Sequence, residues 1–575
     1  MSERSVASLI IEQLEKAGVR HCYGVVGDTL NYITDELSRS SIDWIHVRHE
    51  EVAGFAAGAE ALMTDRLTAC AGSCGPGGLH FINGLFESHR NRAPVILLAS
   101  QLSSELLGND FPQEVDFRSV YQSCSVFCEQ ILNAEQAPAV IRRACQAALN
   151  QRGVAVVVIP VDISKAKSSA LTQTVWRPQP QTLPNLEELQ TIAALLNKGK
   201  RITLYAGAGC EGAHDQLVAL AQKLQAPIAN TSRGKDFIEY DNPYSVGMTG
   251  IFGSEAGFEA LKQCDVLLLL GADFAWSQFY PEQATIIQID HDATHLGRRH
   301  PIAFGAVGRI TDTVTALLPL IESQPDDHFL QHIMSIHQKS LHRRHKEEQR
   351  ATGHPIHPQY LVSLINRYAD RDALFTADGG SAMVWLLRHI ESLGTRRTLA
   401  SLLHGTMANA MPQAIGLQVA FPQRQVIALC GDGGLSMLLG DLFTLIQENL
   451  PLKIVVINNG SLNFVELEQK IEGLLDHYTK LNNDNFAKVA GAIGLYSQKV
   501  IEAETLEESV QRFLAHPGPA LIDVHTHPNE LVMPPEVSLS QVADTALYAA
   551  KAVFHGRLAD VTRLVGNEIS QKLGK

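Results

Sequence analysis

The chain has 575 residues, roughly three to four domains at about 150 residues each, and 45% of it is hydrophobic, enough to fill several cores. Lysine and arginine total 47 against 61 acidic residues, giving a formal net charge of -14, the wrong sign for a protein that coats nucleic acid. No nucleic-acid partner is expected, and the longest apolar runs, Val154 to Val161 and Val266 to Leu270, fall far short of the roughly 20 residues that cross a bilayer.

From Ser2 to Gly18, Val6, Leu9, Ile10 and Leu14 recur at helical spacing with charged residues between them. That pattern predicts an amphipathic first helix, not a secretory signal, and with it a cytoplasmic protein. The nine cysteines include two close pairs, Cys70/Cys74 and Cys124/Cys128, whose spacing is not that of zinc knuckles or redox motifs, so they read as reduced thiols. Segments rich in Val, Ile and Leu then alternate with helical patterns along most of the chain: CYGVV, TACAG, VILLAS, AVVVIPV, ITLYAG, VLLLLG, IIQID, VIALCG and KIVVIN. This is the signature of an α/β protein with doubly wound parallel sheets.

Two stretches break the rhythm. Arg177 to Pro184 is proline-dense and predicts an extended connection; Ser323 to Pro358 is polar and charged and predicts a connection that is part helix. Three domains follow, 1–180, 185–325 and 355–530, with a helical C-terminal tail over 531–575. The first and third share an internal repeat of strand, Gly-rich turn, helix, proline, strand. In it Gly75, Gly77, Gly78, Leu79 and Gly84 match Gly431, Gly433, Gly434, Leu435 and Gly440.

The strongest chemical signal lies in the third domain. Gly431-Asp432-Gly433-Gly434 ends the strand VIALC, and Asn458-Asn459 ends the strand KIVVI, so polar groups stand at the carboxyl ends of two parallel strands, where open sheets bind ligands. The Asp432 carboxylate, the Asn459 carboxamide and a nearby backbone carbonyl are hard oxygen ligands suited to Mg2+. Glycines beside them let a helix N-terminus approach phosphate. In the middle domain, Gly207, Gly209 and Gly212 follow the strand ITLYA in a dinucleotide-type spacing, yet the next strand ends in Asn230, without the acidic residue expected for NAD.

The GDG and NN pair, with Asn459-Gly460-Ser461-Leu462 after the second strand, resembles the diphosphate-binding motif of thiamine diphosphate enzymes. Arg48-His49-Glu50-Glu51 resembles the segment that brings a glutamate to the cofactor's aminopyrimidine, with Glu50 in the activating place and Glu51 as its solvent-facing neighbour. Gly405, Thr406 and Met407, after His404, match the loop that meets the aminopyrimidine, Met407 as the apolar wedge under the bent cofactor. Within the family the resemblance is strongest to the pyruvate oxidases, including the quinone-linked pyruvate dehydrogenases of bacteria, through RHEEVAGFAAGAEA, CAGSCGPGGLH, RGKDFIEYDNPYSVGMTG and HGTMANAMPQAIG.

That resemblance implies pyrimidine-binding, FAD-binding and diphosphate-binding domains in that order, with thiamine diphosphate, Mg2+ and FAD as cofactors. It implies Asp432, Asn459 and the Ser461 carbonyl as metal ligands. FAD contacts are implied at Thr249, Gly250, Ile251 and Phe252, at Ala272, Asp273, Phe274, Ala275 and Trp276, and at Asp290 toward the adenosine end. Phe464 matches an aromatic that enters the active site, and Gln113 a substrate-side residue, although Pro112 stands where a phenylalanine is expected and residues 466–480 and 482–485 diverge. The implied reaction is oxidative decarboxylation of pyruvate or a related 2-keto acid, with electrons passing through FAD to a quinone. A homotetramer is implied, with peripheral contact to the inner membrane through the tail, where Val561, Leu564, Val565, Ile569 and Leu573 form a stripe. The alternative is a carboligase similar to acetolactate synthase, joining the decarboxylated fragment to a second carbonyl compound with FAD only structural.

Overall fold

The computed structural model describes residues 3–351, 355–483, 485–528 and 530, and its apolar runs form three six-stranded parallel sheets. The first holds β1 (His21–Gly24), β2 (Asp43–His46), β3 (Thr68–Gly72), β4 (Val95–Gln101), β5 (Phe127–Gln130) and β6 (Val154–Pro160), in the spatial order β2-β1-β3-β4-β6-β5. The middle sheet holds β7 (Ile202–Ala206), β8 (Ile228–Asn230), β9 (Ser245–Met248), β10 (Val266–Leu270), β11 (Thr285–Asp290) and β12 (Phe304–Val307), ordered β9-β8-β7-β10-β11-β12. This is the strand order of dinucleotide-binding sheets, with the ligand crevice beyond the carboxyl ends of the two central strands, β7 and β10.

The third sheet holds β13 (Leu374–Ala377), β14 (Arg397–Ala400), β15 (Val426–Gly431), β16 (Lys453–Asn458), β17 (Tyr496–Val500) and β18 (Ala520–His525), ordered β14-β13-β15-β16-β18-β17. Counted from its own first strand, it repeats the order of the first sheet, so the glycine repeat marks equivalent turns after β3 and β15. Central strands such as β4, β6 and β16 are buried on both faces, which is why they read as unbroken hydrophobic runs.

The helix Glu50–Thr64 holds the first and third sheets together. His49 caps it by accepting the Glu51 N–H, two glutamates favour its N-terminal dipole, and it ends at Asp65, in the left-handed region. Its small residues allow backbone contact on two sides. A Cβ on Gly84 of the helix Ile82–Arg90 would lie 2.6 Å from the Glu51 carbonyl, and one on Gly416 of the helix Ala410–Ala420 would lie 2.1 Å from the Ala56 carbonyl. Phe55, Leu97, Leu435 and Ile454 therefore belong to one continuous apolar cluster. Burying Phe55 alone contributes roughly 1.5–3 kcal/mol.

The first helix runs from Val6 to Lys16, capped by the Ser5 hydroxyl. Residues 169–185 carry no regular structure, as the prolines predict, whereas the second connection is largely the helix His328–Glu348. Among the described residues, no helix is long and apolar enough to cross a membrane, and the tail 531–575 lies outside them.

Candidate active site

At the end of β15 the chain turns directly into the helix Asp432–Met437, so backbone N–H groups of its first turn surround the Asp432 side chain. Asp432 is 2% exposed, and its Oδ2 accepts the Gly460 N–H at 3.1 Å. Burial pushes its carboxyl up to about 6. A divalent cation at this position would stabilise the ionised form. Asn459 Oδ1 accepts the Ser461 N–H at 3.0 Å, which keeps the Asn459–Ser461 loop tight beside Asp432. A Cβ on Gly433 would lie 2.8 Å from Leu462 Cδ2 and 3.2 Å from Met407 Cε, so the Met407 loop and the two strand-end loops meet at one point. Met407 stands between Gly405 at φ 76° and Ala408 at φ 63°. An alanine held there costs about 1 kcal/mol, a strain that the surrounding contacts impose.

Asp378, at the end of β13, joins these loops from below. Its Oδ1 accepts the Ala410 N–H at 2.9 Å and its Oδ2 accepts the Gly431 N–H at 3.0 Å; burial raises its carboxyl to about 7. Sequence reasoning missed Asp378. The signal was present, since Ala377-Asp378-Gly379-Gly380 repeats the strand-then-Asp-Gly-Gly pattern of the GDGG run.

Glu50 and Gln113 stand elsewhere, around the turn that follows β3. Glu50 Oε2 bonds His80 Nδ1 at 2.9 Å, and a Cβ on Gly77 would lie 3.3 Å from Glu50 Oε1. Gln113 sits at φ 71°, its Oε1 accepting from Cys74 Sγ at 3.3 Å, and a Cβ on Gly75 would meet its Cβ at 2.8 Å. His80, exposed and stacked on His49, is a second residue that the sequence reading passed over. Glu51 faces solvent only in part: it is half-buried and accepts from Asn83 Nδ2 at 2.7 Å, because the two helices approach closely beside it.

In the middle sheet the turns after β7 and β10 press together, a Cβ on Gly207 meeting the Gly271 carbonyl at 2.2 Å. Thr249 Oγ1 and Asn230 Oδ1 are buried nearby without a hydrogen-bond partner among the described residues. Asp290, at the end of β11, binds His295 Nδ1 at 3.0 Å and His291 Nδ1 at 3.1 Å, and His295 in turn contacts Arg92 of the first domain. Asp273 pairs with Arg298 and Arg299.

One cleft of about 1560 Å3 is lined by strand-end loops of the second and third domains, together with Asp65, His89 and Arg92 of the first. Thr249 to Phe252, Asp273 to Trp276 and Asp290 line one end; Gly405, Met407, Asp432 to Gly434, Asn459, Ser461, Leu462 and Phe464 line the other. Thr406, Gly460, Ala272, Glu50 and Gln113 do not line it. Phe252 of the first set and Phe464 of the second pack with ring centroids 6.3 Å apart, and the Phe252 carbonyl accepts from Arg388 Nε at 3.1 Å. The cleft exceeds the roughly 300–1,000 Å3 of a pocket for one drug-sized ligand. Its donors fit thiamine diphosphate and Mg2+ at one end, where a buried carboxylate adjoins a helix N-terminus. At the other end, glycine turns and an unpartnered buried hydroxyl fit a dinucleotide.

Comparison with known proteins identifies the three domains. Residues 4–120 match the N-terminal TPP binding domain of thiamine pyrophosphate enzymes, residues 189–317 their central domain, and residues 378–524 their C-terminal TPP binding domain. The chain is 32% identical over 568 residues to the Bacillus subtilis protein YdaP, designated thiamine pyrophosphate-containing, covering 98% of this chain and 99% of that one. It is 30% identical to the pyruvate oxidase of Lactiplantibacillus plantarum, over 89% of this chain and 87% of that one. With the large subunit of acetolactate synthase isozyme 1 from Escherichia coli, identity is 28% over 92% of this chain and 95% of that one.

Proposed function

Because the chain belongs to the thiamine pyrophosphate enzyme family, we propose that it oxidatively decarboxylates pyruvate, or a closely related 2-keto acid. Keto acid and water become acetate and carbon dioxide, and two electrons and two protons leave through FAD to a quinone. When bound, thiamine diphosphate supplies the nucleophilic carbon for the keto group, Mg2+ neutralises its diphosphate, and the flavin accepts the electrons. The protein's part is to hold and orient. Asp432, Asn459 and the Ser461 carbonyl are placed to ligate the metal, the first turn of the Asp432 helix to receive the diphosphate, and Met407 with Leu462 to wedge the cofactor. Glu50 would hold the proton that is exchanged with the aminopyrimidine. In this reading Glu50 and Gln113 serve the site of a second subunit, as the resemblance to the family implies, so that a dimer is the smallest active form and a tetramer the expected one; their absence from the wall of their own chain's cleft is compatible with that.

The observation that carries the oxidative reading is continuity: one cleft is lined by both Asp432 and Asp290, and Phe252 from the loop of the middle domain packs on Phe464 of the third. A flavin bound only as scaffold would not require that junction. The kinship with acetolactate synthases keeps a carboligase as the second reading. The quinone is reached at a membrane surface through the segment 531–575. Incubating the protein with thiamine diphosphate, Mg2+, pyruvate and a soluble quinone, then separating the products, tests the assignment. Quinone-dependent acetate supports it; acetolactate formed without regard to quinone replaces it with the carboligase.

A further inference from the structure

On the reading that the Gly405–Met407 loop meets thiamine diphosphate, we propose that Asn83 is a positioning residue of that site. It would hold this loop and the Glu50 helix as a single body. Asn83 lies one residue into the helix Ile82–Arg90, beside Gly84, where backbone contact with the Glu50 helix brings it within reach of Glu51. Its carboxamide is fully used. Nδ2 donates to Glu51 Oε1 at 2.7 Å and to Thr406 Oγ1 at 3.1 Å, and Oδ1 accepts from His404 Nε2 at 2.8 Å. A carboxamide has both the donors and the acceptor that this junction needs; a carboxylate lacks the donors, and an apolar residue lacks both.

The contacts continue into the loop backbone. Thr406 Oγ1, having accepted from Asn83, donates to the Met407 carbonyl at 2.9 Å, and the Thr406 N–H donates to Ser401 Oγ at 3.0 Å. Ser401 Oγ donates to Glu87 Oε2 at 2.6 Å, one helical turn beyond Asn83. Phe86, on the same helix, stacks on His404 with centroids 5.7 Å apart. So one helix of the first domain grips His404, Thr406 and Ser401 of the third, and through the same Asn83 side chain it holds Glu51, next to Glu50. Removing Asn83 leaves the apolar packing of both helices in place and frees the loop to turn about the strained Ala408.

The test uses the full chain, with Asn83→Ala and the isosteric Asn83→Asp. Thiamine diphosphate is titrated in the presence of Mg2+, the near-ultraviolet circular dichroism of the bound aminopyrimidine is recorded, and the cofactor-free proteins are melted. Loss of a hydrogen bond to a charged partner predicts an affinity lower by on the order of tenfold or more. The aminopyrimidine band should be diminished and the cofactor-free melting unchanged. Glu51→Ala and Asn83→Ala should be non-additive, the double variant binding no worse than Asn83→Ala. Wild-type affinity and an unchanged band in both Asn83 variants, or simple additivity with Glu51→Ala, overturns the proposal. A wild-type protein that takes up no thiamine diphosphate with Mg2+ instead overturns the thiamine reading of the loop, and this proposal with it.

Discussion

Replacing Gly434 by alanine should damage the cofactor cradle from inside the third domain. The new Cβ would lie 2.3 Å from Asp378 Oδ2, 2.7 Å from its Cγ and 3.2 Å from the Ala408 nitrogen. Ordinary contact begins about 1 Å further out, so the Asp378 carboxyl must move, and it is already held by the Ala410 and Gly431 N–H groups at 2.9 and 3.0 Å. Overpacking costs about 1–3 kcal/mol, and each buried partner left unbonded about 1–3 kcal/mol more, so the total is about 3 kcal/mol or greater. For a cooperative unit of 150–250 residues, at about 2–4 °C per kcal/mol, the transition should fall by at least about 6 °C. Two neighbours calibrate it. Gly440→Ala meets nothing within 4 Å and should be neutral or slightly stabilising, and Gly433→Ala meets only the tips of Leu462, Leu481 and Met407 and should fall between. Calorimetry of the three variants gives the ranking; Gly434→Ala melting with Gly440→Ala would refute the role assigned to Asp378.

Other expectations concern the chemistry. Glu50→Gln should fold and bind thiamine diphosphate yet lose turnover by orders of magnitude, because an amide cannot exchange the proton; steady-state rates near wild type would count against it. Asp432→Ala should abolish the Mg2+ dependence of cofactor binding, read by titration with and without the metal. Coexpressing Glu50→Gln with Asp432→Ala chains should restore about a quarter of wild-type activity, since random pairing gives half mixed dimers with one intact site each; no recovery would mean Glu50 serves its own chain. In the metal-free protein, burial raises Asp432 to about 6, so ionising it costs stability as pH rises from the usual aspartate range through 6. Added Mg2+ and thiamine diphosphate should therefore raise the melting temperature more at pH 7 than at pH 5.

Much of this was legible in the sequence because strand ends and glycines leave local marks. The GDGG turn, the Asn459 loop and the relation between the first and third domains follow from short-range patterns, and the shared strand order fits the glycine repeat. What stayed hidden depends on contacts distant in the chain. Asn83 and Glu87 look like surface residues of one helical stretch, and only docking of the third domain gives them Thr406 and Ser401 as partners; His80 meets Glu50 within the first domain, across a turn that periodicity does not close. Glu51, which the resemblance implies as the solvent-facing neighbour of Glu50, is half-buried for a similar reason: close contact of Gly54 with Gly84 draws another helix beside it. Asp378 lay in a readable pattern, yet its role comes from bridging two loops that periodicity cannot bring together.

The most direct test of the central claim is spectral. The protein, loaded with thiamine diphosphate, Mg2+ and its flavin, is mixed anaerobically with pyruvate while flavin absorbance is followed. Oxidative decarboxylation predicts bleaching that requires both thiamine diphosphate and Mg2+, is lost in Glu50→Gln, and is reversed by added quinone. A flavin that stays oxidised while pyruvate is consumed would contradict the account.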